Sequence, residues 1–338
     1  MNEVTTIGID LAKNVFELHG VNQRGKSVLR KTVSRSKLLP LLANIPPCLI
    51  GIEACGGAHY WAREIGKLGH EVRIMAPQFV VPYRRRGKND ANDAEAICEA
   101  VSRPNMHFVA IKTPEQQSGL MIHRVRESIK EARTAAINQI RGLLMEFGMV
   151  LPQGAHSFSR RLAEALADGD LPQEALSVFA EMRGHLLVLE ERLAEYDRKI
   201  AQLAQEDTAR RLAEIPGVGP VTATALVATV SDARIFRNGR EMAAWAGLVP
   251  RQNSSGGKSR LGRITKHGDS YIRSLCVQGA LIVIRHLGEK NDPRSQWIRS
   301  LVARRGVHKA AVALAAKTLR VAWAIMARDE RYRPALVQ

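Results

Sequence analysis

Thr5-Thr6-Ile7-Gly8-Ile9-Asp10 is a short β-rich run that ends on a carboxylate, and Cys48-Leu49-Ile50-Gly51-Ile52-Glu53 repeats the arrangement some forty residues later. An apolar run that stops on an acid reads as a buried strand delivering a charged group to a sheet edge. Between the two, Val15 to Val21 and Ser27 to Val33 are strand-like and joined by a turn at Asn22 to Gly25. A helix is expected from Ser36, another from His59 to Leu68, and a further strand over Val72 to Met75, stopped by Pro77. The pattern predicts a mixed α/β unit: a three-strand meander followed by strand-helix-strand.

Downstream the period changes. Phe179, Met182, Leu186, Leu189, Leu193, Tyr196, Ile200 and Leu203 alternate at spacings of three and four, the a/d seam of a coiled coil. Ile122, Val125, Ile129, Ala132, Ala136, Ile140, Leu143 and Phe147 form a similar stripe. Two long helices joined through Leu151 to Pro172 predict an antiparallel hairpin, either a dimerisation arm or a hairpin packed on its own domain. From Arg211 the chain reads as helical and basic. Ile215-Pro216-Gly217-Val218-Gly219-Pro220, between helical flanks, has the form of a helix-hairpin-helix, whose Gly217 and Gly219 amides could hold a phosphate; a tight helix corner is the alternative. The domains expected are 1–112, 113–210 and 211–338.

The 338 residues carry 50 Lys+Arg against 33 Asp+Glu, a net charge of +17, which favours polyanions. Between Arg251 and Gln338 there are 18 basic and 5 acidic residues, so +13 of that surplus lies there. Aromatics at 5% argue against a binder that stacks bases along a strand. The four cysteines form no CxxC pair, excluding a zinc ribbon or disulfide framework. With no leader pattern and an apolar C-terminal helix interrupted by Lys317 and Arg320, a cytoplasmic protein without membrane partners is expected.

Asp10 and Glu53 end strands that can lie side by side, and Asp90 and Asp93 share a helix face three residues apart. Four carboxylates about 5 Å apart would repel by roughly 3 kcal/mol per pair at an effective dielectric near 20, which calls for a cation or proton uptake. Hard oxygen ligands suit Mg²⁺ or Mn²⁺. Taken singly, each acid also reads as a solvated loop residue or a helix cap. Arg251 to Arg263, with Ser254-Ser255-Gly256-Gly257, is a polar, flexible, basic loop; Gln252 stands where a Walker motif needs glycine. Its hydroxyls can reach a phosphodiester while Lys258, Arg260 and Arg263 offset charge. Lys266 extends this basic set beyond Arg251, and Arg84-Arg85-Arg86 form another, either for nucleic-acid phosphates or as a solvated loop.

Taken together, Ile7 to Lys13, Ile52 to Gly56 and Asn89 to Ala94 resemble the DEDD domain of the insertion-sequence-110 (IS110/IS1111-type) family of transposases, which is RuvC-like and has the ribonuclease H fold. Pro216 to Gly219, Ala246-Gly247-Leu248-Val249-Pro250-Arg251 and Ser254 to Gly257 are similar to the family's serine-containing second block, in the same order. Gly56-Gly57 stands where the family commonly has Gly-Thr or Gly-Ser. The resemblance implies that Asp10, Glu53, Asp90 and Asp93 form a metal-binding tetrad and that Ser255, with Ser254 as the alternative one residue away, is a nucleophile that joins DNA as a phosphoserine. It further implies DNA ends and target as substrates, an element-encoded guide RNA, and a homo-oligomer built through the hairpin with a composite site. A metal-dependent Holliday-junction nuclease, which needs no serine, and a non-catalytic nucleic-acid binder are the competing readings. A sugar-kinase-like fold is set aside because Leu11-Ala12-Lys13 lacks the glycine that its phosphate loop requires.

Overall fold

The computed structural model describes residues 3–85, 89–155, 158–168, 170–258 and 260–334. It divides into two compact units, Met1–Pro114 with Val230–Ile235, and Glu115–Thr229 with Phe236–Gln338.

The first unit is built on β1 (Thr6–Leu11), β2 (Val15–Val21), β3 (Ser27–Ser34), β4 (Leu49–Glu53), β5 (Glu71–Met75) and β6 (Phe108–Val109). The sheet order is β3-β2-β1-β4-β5-β6, with β1, β4 and β5 parallel and the rest antiparallel. The meander and the strand-helix-strand unit therefore stand where the sequence predicts them, and β6 is an addition. Helices α1 (Leu38–Leu42) and α2 (Ala58–Gly66) cover one face, burying Leu38, Leu42, Trp61 and Ile65 against Ile7, Ile9, Ile50 and Ile52. On the other, α3 (Pro77–Val80) and α4 (Asp90–Val101) pack around Met75, Val80, Ile97 and Val101.

Alternation along the strands explains where α4 sits. Gly8 and Asp10 share one face of β1, and Gly51 and Glu53 share the same face of β4, since Ile9 pairs with Ile52. A Cβ on Gly8 would overlap the Ala94 carbonyl oxygen and the Cys98 amide nitrogen, and one on Gly51 would come 2.8 Å from Val101 Cβ. The two glycines thus let α4 lie directly on the sheet.

The second unit begins with α5 (Pro114–Glu146), α6 (Phe158–Asp168) and α7 (Gln173–Leu203). α5 and α7 run side by side in opposite senses. Ile137, Ile140 and Leu144 pack with Phe179 and Leu186, and Ile129 packs with Leu189 and Leu193. Two expectations need correction here. The stretch between the long helices contains α6, whose Phe158 and Leu162 are buried in the same cluster. The buried stripe of α5 runs through Ile137 and Leu144, leaving Leu143 and Phe147 exposed, because apolar residues populate more than one side of this helix.

Then follow α8 (Asp207–Ala213), α9 (Pro220–Thr229), α10 (Gly239–Trp245), the hairpin β7 (Pro250–Gln252) and β8 (Leu261–Ile264), α11 (Ser270–Arg285), α12 (Pro293–Arg305) and α13 (Val307–Arg328). Asn238, Asp269 and Asp292 cap α10, α11 and α12 by accepting hydrogen bonds from first-turn amides. α13 is the one described helix long and apolar enough to cross a bilayer by length and composition, and half of its apolar window is buried. That burial comes from packing on α8, α10, α11 and α12, as a central core helix does. A directed chain of hydrogen bonds links α5, α9 and α11. Thr224 Oγ1 donates to Pro220 O (2.7 Å), so it accepts from His123 Nε2 (3.0 Å), and His123 Nδ1 accepts from Tyr271 (3.0 Å). Burial first, then Arg126, push His123 down to about 4, and burial pushes Tyr271 up to about 12, so both stay neutral.

Candidate active site

The first unit brings acids to the carboxyl ends of β1 and β4. Asn89 starts α4 by accepting from Asn92 N (2.7 Å), and the first turn that follows carries Asp90 and Asp93 over Asp10. One carboxylate oxygen from each of Asp10, Asp90 and Asp93 lies within 4.8 Å of the other two. Burial, followed by the charges of Asp90, Asp93, Glu53 and Glu17, raises Asp10 to about 6. Three acids crowded closely enough to hold a proton near neutrality make an all-oxygen donor set, which fits a hard divalent cation better than a soft metal.

Glu53 stands one register step beyond the Ile9–Ile52 pair and acts on Asp10 through its charge, but its oxygens fall outside the 4.8 Å group. The structure thus gathers three of the four expected acids. Glu17, which the sequence reading passed over, lies opposite Asp10 in the antiparallel β1–β2 register. Its signal was the meander itself, since the turn length fixes which β2 residue faces Asp10. Arg84 and Arg85, expected on nucleic-acid phosphates, meet acids of α4: Arg84 Nη1 is 3.4 Å from Asp93 Oδ1 and Arg85 Nη2 is 2.9 Å from Glu95 Oε1. Arg86 lies outside the described residues.

In the second unit the serine segment lies in a β-hairpin. Pro250 pairs with Ile264 and Gln252 with Leu261, and Asn253 N donates to Arg260 O (3.0 Å). At the tip Ser255 bridges Lys258, whose amide donates to Ser255 O (3.0 Å). Gly256 and Gly257 both take positive φ, 56° and 75°, the signature of a type I′ turn, whose twist matches the strands. The two candidate serines differ. Ser254 Oγ accepts from Gln252 Nε2 (3.1 Å) and Arg260 N (3.1 Å), which fastens it to the hairpin. Ser255 is exposed, and its hydroxyl has no hydrogen bond among the described residues. Lys258, Arg260, Arg263 and Lys266 are exposed along the hairpin, from its tip to its base, while Arg251 Nη2 donates to Thr265 O (3.3 Å).

At the helix corner, Gly217 (φ 91°) is pressed onto α11, where a Cβ would come 2.8 Å from Gly279 O. Gly219 is exposed and open around its Cα, and Arg294 Nη2 donates to Pro216 O (3.1 Å). Gly217 therefore has a packing duty whatever its amide binds.

Comparison with known proteins matches the same two regions. Residues 209–318 match the model described as "Transposase IS116/IS110/IS902 family", and residues 7–149 match the DEDD transposase model of IS110 elements. The chain is 46% identical to a probable family 20 transposase of Pseudomonas aeruginosa, over 98% of this chain and 99% of that protein. It is 41% identical to the transposase for insertion sequence element IS1328 of Yersinia enterocolitica, over 96% and 97%. With the IS1111A transposase of Coxiella burnetii the identity is 38%, over 98% and 92%. A DEDD domain implies the use of a divalent metal, in keeping with the acids gathered around Asp10. Matched along nearly its whole length, the chain belongs to the IS110/IS116/IS902 family of insertion-sequence transposases, enzymes that cut and rejoin DNA.

Proposed function

We propose that this transposase exchanges DNA strands through a covalent serine link, with Ser255 as nucleophile and Asp10, Glu53, Asp90 and Asp93 holding Mg²⁺ or Mn²⁺. The observation that carries this reading is the contrast within the hairpin: Ser254 is bonded to its own strands, whereas Ser255 stands exposed and unbonded at the tip. A divalent metal held by these acids would supply positive charge to the scissile phosphate. In this reading a change of Glu53 rotamer brings its carboxylate to the three aspartates. Ser255 Oγ bonds to phosphorus as the bond to the 3′ oxygen breaks, and the serine proton ends on that oxygen. Attack by an incoming 3′ hydroxyl reverses the exchange and frees the serine, so phosphodiester bond energy is kept throughout. Lys258, Arg260, Arg263 and Lys266 screen the phosphates, and the Gly219 corner, with Arg251, takes neighbouring backbone.

An element-encoded guide RNA and a homo-oligomer belong to the same proposal. Support comes from the +13 surplus between Arg251 and Gln338 and from Val178, Leu187 and Val188, which are exposed apolar residues of α7. The site of action is the cytoplasm. The test incubates the protein with element-end DNA and Mg²⁺ and looks for a covalent protein–DNA band on a denaturing gel. Wild type and Ser254→Ala should form the band and Ser255→Ala should not. Cleavage by Ser255→Ala with no band from any form would instead mean direct hydrolysis by a metal-dependent nuclease.

A further inference from the structure

A cavity of about 460 Å³ opens in the second unit between the start of α10, the second half of α13 and residues 330–333. Its walls carry five cations, Arg240, Lys317, Arg320, Arg331 and Arg333, against the single acid Glu330. That acid faces Arg328, which is not part of the lining, at 3.7 Å. Arg211 bonds Asp207 and Asp329, and Arg237 bonds Glu241. Arg240, Arg320, Arg331 and Arg333 have no ion-pair partner among the described residues, so no carboxylate of this unit neutralises the cavity's four guanidinium groups. Lys317 lies over the Trp297 ring, and burial, Arg320 and Arg294 all lower its pKa, as expected where positive charge is crowded.

The cavity also has an aromatic side. Tyr332 is half-buried in its wall, and Trp323 is fixed by donating from Nε1 to Phe236 O (3.1 Å). Between α10 and α13 the wall is closely packed, because Gly239 lies with its Cα against Arg320, where a Cβ would come 2.8 Å from Arg320 Cα. A space of ligand-pocket size lined by cations and aromatic rings suits a phosphate with a base attached. A base stacked inside a duplex cannot enter such a space without being flipped out, at a cost of a few kcal/mol, whereas an unpaired one enters freely. An enzyme that cuts and rejoins DNA passes through states with unpaired strands, so a nucleotide of single-stranded DNA is the natural occupant.

We propose that this cavity binds one unpaired nucleotide of single-stranded DNA, its phosphates held by Arg240, Arg320, Arg331 and Arg333 and its base laid on Tyr332. The low aromatic content of the chain excludes a long stacking track, but one ring in one pocket needs none. The site is separate from the serine hairpin, so it can be tested with no cleavage taking place.

Binding of the full-length protein to labelled oligo-dT, a hairpin duplex and oligo-rU is followed by fluorescence polarisation in EDTA, across a salt series. The double variant Arg240→Ala/Arg333→Ala should weaken oligo-dT binding at least about tenfold. Its log Kd against log salt slope should become shallower by about 1.4, two single-strand phosphates' worth. Duplex affinity should barely move. Tyr332→Ala should weaken oligo-dT about tenfold, and Tyr332→Phe should not. Melting temperatures report folding, and the Ala/Phe pair at Tyr332 decides the matter if the double variant proves unstable. Equal losses on duplex and oligo-dT, or no loss on either, overturn the proposal. So does tighter oligo-rU binding that depends on the same residues, which would make the occupant RNA.

Discussion

Lys266 holds a left-handed backbone conformation (φ 56°) in the turn after β8, where its amide donates to Gly247 O (3.2 Å). A side chain in that region costs about 1–2 kcal/mol, and such strain persists where a position has another use. Here the use is charge, since the exposed ammonium belongs to the set around the serine hairpin. Lys266→Gly relieves the strain but returns about 0.5–1 kcal/mol to the entropy of the unfolded chain. The net expectation is a gain in stability of about 0.5–1 kcal/mol, read as a higher melting temperature. In the same variant the salt dependence of duplex binding should become shallower by about 0.9, one phosphate contact. An unchanged melting temperature with an unchanged slope would leave Lys266 with neither role. The two serines show how much of this site the sequence can give. Residue type and the neighbouring glycines point to the pair, but which hydroxyl is free depends on a local bond from Gln252 and a cross-strand bond from Arg260, and no spacing rule supplies the second.

The placement of the acids rests on how one helix meets one sheet. Gly8→Ala drives a Cβ into the backbone of α4 at Ala94 and Cys98, and backbone cannot rotate away as a side chain can. The helix must lift, at a cost of about 3 kcal/mol or more, and its first turn moves off Asp10. The expected result is a lower melting temperature together with loss of the upward shift that Mg²⁺ or Mn²⁺ gives wild type. A normal melting temperature and a normal metal shift would mean that Gly8 does not set the approach. At this scale the sheet is legible in the sequence, because the apolar runs that form β1, β4 and β5 end abruptly in an acid or a proline. β6 is not, since Phe108-Val109 is too short to show a period. The type I′ turn is legible in principle from Gly256-Gly257 between two short extended runs, and reading that stretch for composition instead hides it. α6 escapes notice because glycines and prolines flank it. The His123 chain joins residues 101 and 148 positions apart, a pairing that only the tertiary fold makes.

Across the whole molecule two titrations oppose one another. The folded state holds Asp10 at about 6, above its ordinary 3.8, so it binds more protons than the unfolded chain between these values, and stability falls as pH rises through the window. The full shift corresponds to about 3 kcal/mol, trimmed to about 2 because the carboxyl is only part-buried. His123 is held at about 4, below its ordinary 6.5, so the folded state binds fewer protons there, and stability rises with pH through almost the same window, by about 3 kcal/mol. Acid therefore favours the sheet-bearing unit that contains Asp10 and strains the helical unit that contains His123. In EDTA, Asp10→Asn should raise the melting temperature more at pH 6.5 than at pH 4.5, because the charge it removes is present only at the higher pH. His123→Phe leaves Thr224 and Tyr271 short of a partner and should lower the melting temperature at both, but less at pH 4.5, where it also removes the proton uptake that favours unfolding. Differential scanning calorimetry reads both effects. If the two substitutions shift the acid side of the profile in the same direction, these groups do not carry its pH dependence. Mg²⁺ should abolish the Asp10 contribution and leave that of His123 untouched, since only the former sits among the acids of the candidate metal site.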